Sequence, residues 1–217
     1  PADTGNNNGY VVEVTVNDGH GGYDVQTLTV VVDDVNDAPV ITSNGGGDTA
    51  HLTVDEGATA ATTVPATDAD ADTLAFSIVG GEDAGQFSIA PATGVLAFVA
   101  APDMEYPADA NGDNTYLVNV KVEDGNGGSD TQLLEITISN TNEPPTITSD
   151  GAGDTAALTL VEGTLPVTTV TSSDPDGDTP AYSISGGADG SLFTVDPATG
   201  GLGFMSAPDF ESPAVAA

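Results

Sequence analysis

The sequence predicts an all-β chain of tandem seven-stranded β-sandwiches, and three observations carry that reading. Apolar and polar residues alternate in short runs such as Tyr10 to Asn17, the period of two expected of a strand with one face on a core. Between those runs lie turn residues rather than helical periodicity of useful length. Finally, the sequence matches itself when slid by 106 residues, which marks a repeat array. The 217 residues hold about two such lengths, each large enough to close a core.

Taken in order, Tyr10, Val12, Val14 and Val16 form one strand, Asp18-Gly-His-Gly-Gly22 a turn, and Thr27 to Val32 a second strand. An isolated hairpin is marginal in water. Residues 1–38 are therefore expected to be the last two strands of a truncated repeat. Residues 39–143 make a complete repeat, with apolar runs near 51–54, 61–65, 74–79, 86–89, 95–98, 115–122 and 131–138. Turns at Asp55-Glu56-Gly57, Asp68 to Asp72, Gly80-Gly81, Pro91 to Gly94 and Asp109 to Asn114 separate them. Short strands at this spacing, without the helical crossovers of a parallel sheet, predict two packed sheets.

Residues 144–217 repeat the first five strands and stop at Asp209-Phe-Glu211-Ser-Pro213. The strands they lack are those at the amino terminus, and Pro1-Ala2-Asp3 matches Pro107-Ala108-Asp109. Two arrangements fit: a segment of a longer array, or head-to-tail assembly in which the hairpin of one molecule completes the last unit of another. Closure within one chain is disfavoured, because an intact sandwich roughly 40 Å long separates the two partial units.

There are 34 acidic residues against one basic residue, Lys121, for a formal charge of −33. Self-repulsion on this scale argues against nucleic acid and anionic membrane surfaces as partners and favours cations. A solvated, salt-adapted surface accounts for the same charge, and composition alone does not separate the two. With no cysteine there is neither a disulfide framework nor a thiolate metal site. No signal peptide or spanning apolar run is present, so targeting or anchoring segments of an exported protein would lie outside this sequence.

His20 and His51 occupy unmatched repeat positions and are expected at the surface. Nucleophile elbows, phosphate-cradling loops and paired-histidine motifs are absent, and the carboxylates recur in every unit as catalytic pairs seldom do. No enzyme is expected.

The acidic residues gather at the unit boundaries. Asp34-Val-Asn36-Asp37-Ala-Pro39 recurs as Asn140-Thr-Asn142-Glu143-Pro144-Pro145. The first resembles the cadherin inter-domain motif Asp-x-Asn-Asp-x-x-Pro with its proline one place early. Asp68-Ala-Asp70 and Asp174-Pro-Asp176 resemble the family's Asp-x-Asp, and Asp103-Met-Glu105 and Asp209-Phe-Glu211 its Asp-x-Glu. Gly80 to Ile89 with Pro91-Ala-Thr-Gly94-Val-Leu96 is similar to its middle strands, and Asp124-Gly125 and Asp18-Gly19 to its late acidic position. Together these resemble cadherin-like repeats of large bacterial surface proteins, which implies immunoglobulin-like (cadherin-like) Greek-key sandwiches.

The resemblance also implies calcium at the junctions. Calcium takes six to eight oxygens, more than one sandwich loop supplies, and a linker between two domains can draw on both. Carried over by position, the first junction would use Asp34, Asn36 and Asp37 with Asp68, Asp70 and Asp124. The second would use Glu56, Asp103, Glu105, Asn142, Glu143, Asp174 and Asp176. Asn140 and Glu143 replace Asp34 and Asp37 there, which lowers the carboxylate charge. A turn role, with Asp and Asn bonding their own backbone, is the simpler alternative at each position.

The expected function is a calcium-rigidified extracellular extender or adhesive segment of a cell-surface protein, meeting other cadherin-like repeats in cis or trans, including homophilically. Two alternatives stand beside it. One is a carbohydrate-binding accessory module meeting surface glycans, although Tyr10, Tyr23, Tyr106, Tyr116 and Tyr182 mostly fall where strands need core residues. The other is a calcium-independent spacer.

Overall fold

The computed structural model describes residues 8–212; the Pro1-Ala2-Asp3 match and Pro213 lie outside the described residues. β1 (Gly9–Asn17) and β2 (Tyr23–Val31) form an antiparallel hairpin, in register from Gly9↔Val31 to Asn17↔Tyr23. Asp18 builds its turn: Oδ1 accepts the N–H groups of His20 at 2.8 Å and Gly22 at 2.9 Å. Those amides hold its carboxyl below the ordinary aspartate range. Among the described residues nothing covers the apolar side, where Val14 is 50% and Leu28 41% exposed.

The middle unit runs through β3 (Val40–Ile41), β4 (Thr49–Asp55), β5 (Ala60–Thr63), β6 (Ala66–Thr67), β7 (Ala75–Gly80), β8 (Phe87–Ile89), β9 (Val95–Phe98), β10 (Thr115–Glu123) and β11 (Ser129–Ser139). One sheet has the order β4-β11-β10-β7 and the facing sheet β5-β9-β8, with β3 and β6 as a short pair. The β4–β11 pair is parallel, from Leu133↔Thr49 to Ser139↔Asp55; the others are antiparallel. All seven expected runs form strands. The run at 61–65 stops at Thr63 because Val64 is drawn into the core and Pro65 has no N–H for a ladder.

Both sheets close on one core. Val118, Val120 and Val122 from β10 and Leu134 and Ile136 from β11 are fully buried against Val64, Phe76, Phe87, Leu96 and Phe98. Burying each such side chain stabilises the fold by about 1.5–3 kcal/mol. Phe98 meets Phe87 at 4.5 Å and stands edge-on to Tyr116 at 5.2 Å. Gly81 lets the chain pass under β10: its φ is +102°, and a Cβ there would sit 2.3 Å from the carbonyl oxygen of Leu117.

Buried polar groups are tied to backbone. Gln132 accepts the Ser43 hydroxyl at 2.7 Å and donates to the Gly47 carbonyl at 2.8 Å. Asp83 accepts the N–H groups of Ala110 at 2.7 Å and Leu117 at 2.8 Å. The histidines lie outside, as expected: His51 pairs with Glu135 at 2.8 Å, and His20 contacts the Asp18 carbonyl. Tyr116 is buried, whereas Tyr23 and Tyr106 are 75% and 77% exposed, which corrects the expectation that they serve the core. Tyr23 takes the place that Ser129 holds in β11, which is exposed even in the closed middle unit, and Tyr106 lies in a loop outside the strands.

The last unit contains β12 (Thr146–Ile147), β13 (Pro166–Thr169), β14 (Ser172–Ser173), β15 (Phe193–Val195) and β16 (Gly201–Phe204). The sheet β13-β16-β15 copies β5-β9-β8, with Pro166↔Gly203 in the place of Ala60↔Ala97. The expectation of five repeated strands is corrected, because 155–161 and 181–186, the counterparts of β4 and β7, are not strands. In the middle unit β4 pairs with β11 and β7 with β10, and both are sheet edges. Among the described residues, 144–212 include no counterpart of β10 or β11. The backbone groups of 155–161 and 181–186 consequently have no ladder to join.

Candidate metal centres

At the first junction Asp68 fixes the loop after β6, with Oδ1 accepting the N–H groups of Asp70 at 2.9 Å and Asp72 at 3.2 Å. Asp70 Oδ2 accepts the N–H of Asp37 at 2.7 Å, fastening the linker to that loop. From the β10–β11 turn comes Asp124, 5% exposed, which accepts the Asn36 side-chain amide at 2.9 Å and the Asn126 N–H at 2.7 Å. The bond from Asn36 is the main cause holding the Asp124 carboxyl below the ordinary range. Glycine is required at 128, since a Cβ there would lie 2.7 Å from the Ala38 Cα as well as 2.2 Å from Asp124 Oδ2.

These elements bring oxygens of Asp68, Asp72 and Asp124 within 4.8 Å of one another. Asp68 Oδ2 is buried without a hydrogen-bond partner. Sequence reasoning had Asp68 and Asp124 but missed Asp72; its place at the end of the same acidic turn was the signal. Asp34, by contrast, accepts the N–H of Val35 at 3.1 Å and is not among the grouped carboxylates.

At the second junction Glu56, Glu105 and Asp176 converge within 4.8 Å, two from the middle unit and one from the next. Glu56 is held by the N–H groups of Met104 at 2.8 Å and Thr141 at 2.6 Å. Asp176 Oδ2 accepts the N–H of Glu143 at 2.7 Å, repeating the Asp37–Asp70 bond. Glu105 Oε2 and Asp176 Oδ1 are buried and unpartnered. Burial first, and then the charges of Glu56, Asp176 and Glu143, push the Glu105 carboxyl above its ordinary value. Glu143 is raised by burial and by Glu56, Asp103, Asp176 and Asp174.

Asp103 and Asn142 line the same junction, around a cavity of about 380 Å³ that also includes Glu56 and Glu143. Asp103 accepts the N–H of Tyr106 at 2.9 Å, and the Asn142 side chain donates to the Glu143 carbonyl at 3.2 Å. Asp174 accepts the N–H of Asp178 at 3.2 Å, as Asp68 does that of Asp72. A third grouping, Glu162, Asp209 and Glu211, repeats Glu56, Asp103 and Glu105 at the exposed far end of the last unit.

Residues 36–137, from the linker through most of β11, match the family model of the bacterial Ig domain. The middle unit is similar to a bacterial Ig domain. No curated protein matches the chain significantly. Among solved structures, human CDH23 EC21-23 is similar with TM-score 0.60 and 22% identity, over 94% of this chain and 66% of that one. The protocadherin gammaB7 EC3-6 cis-dimer gives TM-score 0.55 and 20% identity, over 97% of this chain and 55% of that one. Human protocadherin-24 EC1-2 gives 0.52 and 21%, over 82% of each. This chain spans less than two thirds of the first two, and identities at this level establish a shared fold. The middle unit therefore carries its acidic groupings at the two ends of a sandwich that shares the cadherin fold.

Proposed function

We propose that the chain is a calcium-rigidified extracellular extender or adhesive segment, with metal held where its repeats join. The observation that carries this reading is the set of buried carboxylate oxygens without partners, Asp68 Oδ2, Glu105 Oε2 and Asp176 Oδ1, each inside a grouping of converging acids. Leaving a buried polar atom unpaired is costly. A hard cation that takes six to eight oxygens satisfies such atoms and neutralises the acids around them.

At the first junction Asp68, Asp72 and Asp124 would hold the ion, with Asp70, Asn36 and Asp37 positioning the linker and Asp34 outside. At the second, Glu56, Glu105 and Asp176 would hold it, with Asp103, Asn142, Glu143 and Asp174 around them. When bound, calcium supplies charge neutralisation and cross-linking. Without it, like charges on two adjoining repeats repel and the linker flexes; with it, the linker stiffens. The domain division that follows is a partial repeat at 1–38, a complete one at 39–143 and a partial one at 144–217. Such a rod suits the outside of a cell and contacts with other repeats in cis or trans. The recurrence of these acids at every junction favours this structural role over catalysis.

A glycan-binding role would need adjacent exposed rings, and the two most exposed tyrosines, Tyr23 and Tyr106, belong to different units. The deciding experiment is a calcium titration by calorimetry, with small-angle scattering in chelator and in excess calcium. Saturable binding and a stiffer particle are expected. Asp70→Ala and Asp176→Ala should each weaken binding and loosen their own junction while the core stays folded. Wild-type affinity in both variants would remove these residues from the site, and no binding by the wild type would leave a calcium-independent spacer.

A further inference from the structure

β9 ends at Phe98 and β10 begins at Thr115, and the segment between them carries Asp103-Met-Glu105 outside any strand. With no ladder to join, its backbone depends on side chains to fix its course. Asp83 Oδ1 accepts the N–H of Ala110 at 2.7 Å, and the Tyr116 hydroxyl accepts that of Ala108 at 3.2 Å. Asp109, 8% exposed, folds the loop towards β10 by accepting the N–H groups of Asp113 at 2.9 Å and Asn114 at 3.2 Å. Asn114 then reaches back to the acidic segment: its side-chain amide donates to the Met104 carbonyl at 2.8 Å.

We propose that Asn114 is a positioning residue for the second junction, holding the Met104 carbonyl so that the Glu105 carboxylate converges with those of Glu56 and Asp176. This role rests on the calcium reading above. The Met104 carbonyl belongs to the planar peptide that leads into Glu105, so fixing its oxygen fixes the Glu105 Cα. On the other side, the Met104 N–H is held by Glu56 at 2.8 Å, and the Met104 side chain packs against the core. Met104 is thus fixed in three directions, and the acids on either side of it follow. Residues behind the ligands make a metal site precise in this way.

The simpler role for Asn114 is its backbone, because φ is +61° and asparagine tolerates that left-handed conformation. Glycine meets the same requirement with less strain. Yet asparagine stands at both copies of the position: in Asp3-Thr-Gly-Asn-Asn-Asn8 every residue between the first and the last differs from its counterpart in Asp109 to Asn114. Asn8 has φ +53°, and its carbonyl accepts the Val32 N–H at 3.0 Å as that of Asn114 accepts the Ile138 N–H at 2.9 Å. A carbonyl can only accept, so the Asn114 amide presents its nitrogen to Met104 and leaves Oδ1 buried without a partner. Burying that oxygen unpaired is costly, and the bond to Met104 offsets it.

The test is a calcium titration of the full 217-residue chain followed by hydrogen exchange at Asp37 and Glu143, whose amides tie the two linkers to Asp70 and Asp176. Asn114→Gly keeps the left-handed backbone and the bond from Ile138 while removing the amide. It should raise the calcium concentration for half-protection of Glu143 about tenfold and leave that of Asp37 unchanged. Asn111→Gly loosens the same loop, where the Asn111 side chain bonds Asp113, and should shift neither. In chelator, the Met104 N–H should exchange faster in Asn114→Gly than in the wild type, and at the wild-type rate in Asn111→Gly.

Wild-type calcium dependence at Glu143 in Asn114→Gly, or an equal shift in Asn111→Gly, overturns the proposal. Calcium that protects neither Asp37 nor Glu143 in the wild type refutes the calcium reading instead. Exchange at Met104 in chelator then decides by itself whether Asn114 holds the segment, and an unchanged rate in Asn114→Gly refutes it.

Discussion

Leu96 and Leu202 occupy the same place in consecutive units, at the centres of β9 and β16, yet only one lies in a closed sandwich. Leu96 is fully buried, whereas Leu202 borders the open cavity. Leu96→Ala removes the equivalent of three buried methylenes, about 2.4 kcal/mol at ~0.8 kcal/mol each. The cavity left behind brings the cost to about 3–4 kcal/mol. For a unit of this size that lowers the melting temperature by roughly 15–25 °C. Leu202→Ala should cost about 1 kcal/mol or less, since water already reaches one side. Both are to be compared by urea unfolding with hydrogen exchange read separately on β10 and on β16. Equal costs for the two substitutions, or a cost below about 1 kcal/mol for Leu96→Ala, would refute the claim that one core is closed and the other open.

Two further outcomes follow from the middle repeat and its second junction. Asp83→Ala strands the N–H groups of Ala110 and Leu117 and should destabilise the repeat by about 2–4 kcal/mol, measured by urea denaturation; Asp83→Asn should recover part of this. At the second junction, the raised carboxyls of Glu105 and Glu143 bind protons more readily when the junction is closed than when it is open. In chelator, closure should accordingly strengthen as pH falls from neutral towards the ordinary glutamate value of 4.5 and weaken as pH rises. Hydrogen exchange at Thr141 to Glu143 reports it, and acid that loosens this segment in chelator would contradict the assignment. In calcium the trend should reverse, because protons then compete with the ion.

The strands were legible wherever the alternating pattern was strong: β10 and β11 bury every second residue along most of their length. β3 and β6 are two-residue pairings set by tertiary contact, too short to leave a period. Local pattern also could not show that Thr155 to Val161 would remain unpaired, since its residues alternate much as those of β4 do. What differs is the partner strand, a long-range property. At the junctions, Asp68, Asp70 and Asp124 were legible because repetition singled them out. Asp72 was not, because a turn is a sufficient reason for an aspartate there, and only the fold brings it opposite Asp124.

The parallel alignment of β4 with β11 has a mechanical consequence. The chain enters the sheet at Thr49 and leaves at Ser139, and those points lie at opposite ends of the paired segment. Tension applied between the two ends of the repeat would pull the two strands past one another lengthwise. The ladder from Leu133↔Thr49 to Ser139↔Asp55 then resists in shear, with its bonds strained together and not opened one by one as in peeling. A ladder loaded in this direction has to break several bonds at once, so the β4–β11 pair is the part of the repeat that resists lengthwise extension most strongly.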